Sequence, residues 1–195
     1  MLEVTWEWIA LDKAALDVAN TLAVDKGVEY DLLAPDGEYE RWARAAARSP
    51  ELTPEEAAAL AVARPRLLGL REHIRAVLHA TAADQPLPGA AVAALNAASR
   101  AAAQWPELGH DRQIQQYTLG DAVARLLAHY ARSTMEIAAG GSTKLRVCGA
   151  PSCGMFYRPR RRQQRWCSEP CGNRARVARH YRAHHTAGWS SPERR

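Results

Sequence analysis

Cys148-Gly149-Ala150-Pro151-Ser152-Cys153 and, after thirteen intervening residues, Cys167-Ser168-Glu169-Pro170-Cys171 hold every cysteine of this 195-residue chain. Two close pairs separated by a loop are the arrangement of a four-thiolate metal site. Zinc takes four tetrahedral sulfur ligands, and two local pairs surround it with little loop-closure cost. Two disulfides are the alternative, which a secreted chain would favour. Met1 to Glu7 lacks the basic region and apolar stretch of an export signal, so a cytoplasmic protein with one zinc ion is expected. Four thiolates leave no open position for water, which makes the expected role of the metal structural.

The residues around the cysteines suggest a topology. Gly149 to Ser152 and Gly154 supply turn residues for a knuckle, and Met155-Phe156-Tyr157 reads as a strand. Arg160-Arg161-Arg162-Gln163-Gln164-Arg165 is a charged turn. Ser168 is placed to cap a helix starting near Pro170, with Cys171 in its first turn. Knuckle, hairpin and ligand-bearing helix make a treble-clef-like finger, with a zinc ribbon as the competing topology. Helical projection sets Val177 and Tyr181 toward the small core of the finger and Arg176, Arg179 and Arg182 on another face, suited to phosphate or base contacts.

Charge divides the chain. Residues 144–195 carry 13 Lys and Arg against Glu169 and Glu193, a net charge of +11. Residues 1–143 keep 13 basic and 19 acidic residues, a net of −6, so the overall +5 conceals two opposite parts. Ala138 to Thr143, small and uncharged, reads as the linker. The acidic part is rich in Ala, with helical stripes at Leu11, Ala15, Val18, Leu22 and at Val123, Leu126, Leu127, Tyr130. Thr53-Pro54-Glu55-Glu56 is a capping-box start. Further helices are expected from Pro65 or Arg66 to Ala83 and from Ala90 to Ala103, and short strands at Leu2 to Trp8 and Gln113 to Tyr117. The fold class is therefore mainly α: a helical domain over 1–141 with one or two short strands, a zinc finger of β-hairpin and helix over 142–185, and a polar tail over 186–195.

Leu145-Arg146-Val147-Cys148 with Cys153, Phe156, Arg165-Trp166-Cys167-Ser168 and Cys171-Gly172-Asn173-Arg174 resembles the CGNR zinc finger. Leu16-Asp17-Val18-Ala19-Asn20-Thr21-Leu22 is similar to the Asn-Thr motif that opens the ABATE domain, which precedes this finger in bacterial proteins described as stress-induced transcription regulators. The family often places an acidic residue soon after the Phe of the hairpin, where this chain has Phe156-Tyr157-Arg158; the ligand positions are intact and the hairpin is basic.

The resemblance implies a zinc-containing DNA-binding regulator with metal ligands Cys148, Cys153, Cys167 and Cys171. Arg160, Arg161, Arg162, Arg174, Arg176, Arg179 and Arg182 are the candidate DNA contacts, and Asn173 and Arg174 the candidate groups that orient the sulfurs. The runner-up is a protein-interaction module whose basic face binds an acidic partner or the chain's own acidic half. Asp17 and Asn20, polar groups in an apolar helical run, are read either as a buried hydrogen-bonded pair or, with Arg71, as a pocket for a small-molecule effector. A homodimer is compatible with these readings, and no apolar run reaches membrane-spanning length. His180 and His184 could chelate a metal only with another ligand. No Gly-rich phosphate loop, nucleophile elbow or zincin helix occurs, so no enzyme is expected.

Overall fold

The structure is a computed structural model that describes residues 13–25, 28–34, 37–141 and 145–185. The expected strand at Leu2 to Trp8, Leu11 of the first helical stripe and the tail over 186–195 lie outside these residues. About half of the described residues are helical. No helix among the described residues is long and apolar enough to cross a membrane.

Helix α1 (Ala14–Ala19) is buried on every side, as an apolar helix in the middle of a domain must be. It is shorter than its apolar spacing suggested. Thr21 Oγ1 donates to the Val18 carbonyl at 2.7 Å, satisfying the helix end, and Leu22 turns out of the helical stripe to begin β1 (Leu22–Asp25). Strand β1 pairs antiparallel with β2 (Val28–Asp31). Helix α2 (Glu38–Ala46) buries Tyr39 and Trp42. The capping box read at Thr53 starts α3 (Pro54–Ala59), with Glu56 N–H on Thr53 Oγ1 and Thr53 N–H on Glu56 Oε2.

Helix α4 (Arg64–Ala82) is the centre of the N-terminal unit, and Pro65 opens it instead of breaking it, because the first turn needs no amide donor there. Helices α5 (Gly89–Arg100) and α6 (Ala122–Ala139) pack on it. Asp121 caps α6 by accepting from Ala124 N–H at 2.7 Å. Helix α6 runs through Ala138 and Ala139, two residues into the expected linker. Between α5 and α6 stands a two-stranded ribbon, β3 (Gln104–Leu108) and β4 (Ile114–Thr118), the second overlapping the strand expected at 113–117.

The C-terminal hairpin is short: β5 (Arg146–Val147) pairs antiparallel with β6 (Phe156–Tyr157). Helix α7 (Glu169–His185) follows, completing the treble-clef-like order of knuckle, hairpin and helix. Core packing crosses the boundary between the two parts. Leu145 and Phe156, 0% and 2% exposed, belong to the hydrophobic cluster of the N-terminal unit.

Candidate metal centre and basic surface

Cys148 ends the first arm of the hairpin, Cys153 follows the knuckle, Cys167 precedes α7 and Cys171 sits in its first turn. Positive φ angles of 58° at Ser152 and 68° at Gly154 fold the knuckle back on itself. Ser168 Oγ accepts from Cys171 N–H at 3.4 Å, which starts α7 where Cys171 must point inward. Gly172 lies at a close approach: a Cβ there would stand 3.3 Å from Trp166 Cε3 and press on that ring.

The four Sγ atoms lie within 4.8 Å of one another. Cys153 and Cys167 are 3.7 Å apart, Cys167 and Cys171 3.5 Å, and Cys171 and Cys153 3.7 Å. A tetrahedron with sulfur about 2.3 Å from a central zinc has edges of about 3.8 Å. The donor set therefore fits zinc, whereas no pair is at bonded sulfur–sulfur distance and all four cysteines are free thiols. Hydrogen bonding from Cys167, aided by the Met155 N–H, outweighs burial and draws Cys153 down to about 5. The bond to Cys153 pushes Cys167 up, and burial pushes Cys148 up. Without a cation the cluster resists multiple ionisation; a bound divalent ion reverses that, deprotonating its thiols outright.

Arg174 Nη2 donates to Cys171 Sγ at 3.0 Å, so one of the two groups expected behind the sulfurs does reach a ligand. Asn173 does not appear among the sulfur contacts; its Oδ1 accepts from Arg176. The small core of the finger is Cys148, Ala150, Cys153, Tyr157, Cys171 and Ala175. Val177 and Tyr181, expected to face this core, are instead 66% and 64% exposed. The inward-facing place on α7 is taken by Ala175, and among its described residues only Cys171, Gly172 and Ala175 are buried.

Among residues 145–185 every cation is an arginine, ten in all. The turn carrying Arg160, Arg161 and Arg162 is held by two residues that the sequence reading passed over. Gln164 Oε1 accepts from Arg160 N–H at 2.8 Å, while its Nε2 donates to the Trp166 carbonyl at 2.9 Å. Arg146 clamps the same turn, donating to the carbonyls of Gln164 at 2.6 Å and Arg162 at 2.8 Å. The three side chains between these anchors are exposed. With Arg158 and Arg176 they line a groove of about 1420 Å³ whose far wall is Leu16, Asp17 and Asn20 of the N-terminal unit. Arg179 and Arg182 lie apart, lining a second groove with Arg146 and His79.

The three residues read as an effector pocket are not gathered in one place. Asp17 and Asn20 are both 5% exposed and border the first groove. Asn20 spends its amide on the finger: Nδ2 donates to the Phe156 carbonyl at 3.0 Å, and Phe156 N–H donates to Oδ1 at 2.8 Å. Arg71 is absent from that groove's lining. It grips Asp31 through both Nη atoms and donates to Thr21 Oγ1 at 2.9 Å. Arg75, also overlooked, donates to the Ala19 carbonyl at 2.7 Å and to Glu29 at 2.9 Å, and lays its guanidinium 5.6 Å from the Phe156 ring centre. His79 meets the same ring edge-on at 4.6 Å.

The ABATE family model, described as "Putative stress-induced transcription regulator", matches residues 12–141. The chain belongs to the ABATE family. A second model, the CGNR zinc finger, matches residues 144–184, and the four sulfurs at tetrahedral spacing make its centre a structural zinc site. No match was found among curated proteins. Both matched families are regulatory or zinc-finger families and not enzymes. In the ABATE protein described here, the Asn-Thr motif has a physical role: Thr21 closes α1 and receives Arg71, and Asn20 holds the zinc finger by its backbone.

Proposed function

We propose that this ABATE protein is a DNA-binding transcription regulator in which zinc shapes the finger and arginines contact the phosphate backbone. The observation that carries the reading is the arginine turn, pinned by Gln164 and Arg146 so that Arg160, Arg161 and Arg162 face solvent beside Arg176. Guanidinium forks fit phosphate oxygens, and a fixed turn presents them without a large ordering cost. Arg174, Arg179 and Arg182 extend the same field along α7. The rival reading, that these arginines dock on the chain's own acidic half, receives less support. The finger is seated through Phe156, Leu145 and Asn20, and among the described residues Arg160, Arg161, Arg162, Arg176 and Arg179 form no ion pair with a carboxylate. A small-molecule effector fits this reading best at the groove beside Asp17 and Asn20, where occupancy would bear on the seam between the two parts.

The test is an anisotropy titration of the zinc-loaded protein with duplex DNA. Six phosphate contacts give a slope of about −5 for log affinity against log salt, with micromolar or tighter binding. Affinity without salt dependence, or no binding at low salt, would overturn the proposal. Equal or stronger binding to an acidic polypeptide would favour the protein-interaction module instead.

A further inference from the structure

Helix α7 has a face that phosphate binding does not use. Cys171, Gly172 and Ala175 are buried on one side. At 100° per residue the opposite side is the crest Asn173, Val177, His180, Tyr181 and His184, and all five are exposed. Arg174 and Arg176 stand on the two shoulders of this crest. The His180 and His184 rings pack 4.2 Å apart along it. We infer that this crest enters the major groove of duplex DNA and reads base edges, with Val177 and Tyr181 as its apolar contacts and the flanking arginines on the phosphates. The inference deepens the DNA-binding proposal and rests on it.

Three observations select this occupant. First, Val177 and Tyr181 are two-thirds exposed, the two large apolar side chains that α7 leaves open, and Pro151 of the knuckle adjoins them in a shallow, mainly apolar concavity. Apolar side chains recognise the thymine methyl group, and imidazole and phenol groups can donate to or accept from base edges. Second, charge excludes the simplest rival. A second copy of this chain packed crest to crest would bring two arginine-flanked helices together, whereas the walls of a DNA groove are anionic. Third, dimensions agree: a helix with its side chains is about 10–12 Å across, and the major groove is about 12 Å wide and admits one helix. The major groove of an RNA duplex is too narrow for it.

The experiment selects preferred sites from a random duplex pool with the zinc-loaded full chain. It then compares wild type, the double variant Val177→Ala with Tyr181→Ala, and Arg176→Ala on the selected site, a random duplex and the RNA duplex of the same sequence. Wild type should prefer the selected site by about tenfold or more. The double variant should lose that preference while keeping its affinity for random duplex, its salt slope, its zinc content and its melting temperature, since both side chains are exposed. Arg176→Ala should weaken both duplexes equally and lower the salt slope by about one. Preference unchanged in the double variant, no preferred site for wild type, or equal binding to the RNA duplex would overturn the inference while leaving DNA binding standing. Failure of wild type to bind any duplex would remove both. A dimer that Tyr181→Ala dissolves would assign the crest to a second copy and overturn the inference.

Discussion

Asn20 and Phe156, 136 positions apart in the chain, exchange two hydrogen bonds in which one side-chain amide satisfies both backbone groups of a buried strand residue. An amide is the one side-chain group that both donates and accepts in this fork, so it pairs with β6 as a neighbouring strand would. The bond couples the N-terminal unit to the metal finger at a point three residues from Cys153.

Replacing Asn20 by Ala leaves the Phe156 N–H and C=O buried without partners. The expected loss is about 2–6 kcal/mol, from about 1–3 kcal/mol for each of the two unsatisfied groups. Asn20→Asp should also destabilise, because a carboxylate accepts from the N–H but repels the carbonyl. Urea unfolding and hydrogen exchange at the Phe156 amide give the readout. Wild-type protection of that amide in Asn20→Ala would contradict the coupling.

Metal removal should reach beyond the finger. Once zinc leaves, the hairpin loses its four-sulfur tie to α7, and only its two strand pairs, the Arg146 clamp and the Asn20 fork are left to keep Phe156 and Leu145 in the N-terminal cluster. Chelation is therefore expected to lower the melting temperature of the whole chain, and Phe156→Ala, worth about 3–5 kcal/mol as a core truncation, should reproduce part of that drop with zinc still bound. An N-terminal unit that melts unchanged after chelation would break this link.

Gln164→Ala should weaken DNA binding without touching a phosphate. It removes the acceptor for Arg160 N–H and the donor to the Trp166 carbonyl, so the arginine turn is held by the Arg146 clamp without its second anchor and loosens. Zinc stoichiometry should stay at one, while affinity falls severalfold for every duplex sequence. A variant with loosened zinc and intact DNA affinity would assign Gln164 to the metal site instead.

His129 should make stability depend on pH. Burial pushes its pKa below the ordinary 6.5, outweighing the opposing pull of Glu51, Glu56 and Glu136, with Lys13 adding to the depression. Its ring packs edge-on against Tyr130, and its Nε2 stands 3.7 Å from Glu51 Oε2 with no hydrogen bond. The folded chain thus holds it neutral, while the unfolded chain takes a proton as pH falls through about 6.5, so stability declines on acidification. Denaturant melts between about pH 5.5 and 7.5 should show a shallower decline for His129→Gln than for wild type. Identical slopes would show that His129 does not titrate differently in the two states.

The parts of the molecule that follow local rules were legible in the residues. Thr53 and Glu56 form their box, Ser168 starts α7, and the four cysteines converge, because each depends on spacings of a few residues. The misreadings are long-range. Val177 and Tyr181 share a ridge, as the period implies, but which ridge faces inward depends on where the knuckle sits, and Ala175 fills that place. Arg71 looked available for a ligand because Asp31 lies 40 positions away in a hairpin that no turn signal announced. Asn20 stood out as a polar residue in an apolar run, and its partner, a backbone, carries no sequence signature at all.

The absence of lysine between residues 145 and 185 limits how this surface can be regulated. Guanidinium groups keep their charge at any physiological pH, and lysine acetylation has no target among them. Neither alkalinity nor an acyltransferase can turn down such a field. Metal occupancy and the grip of Asn20 instead change where the arginines stand, so that their geometry is adjustable where their charge is not.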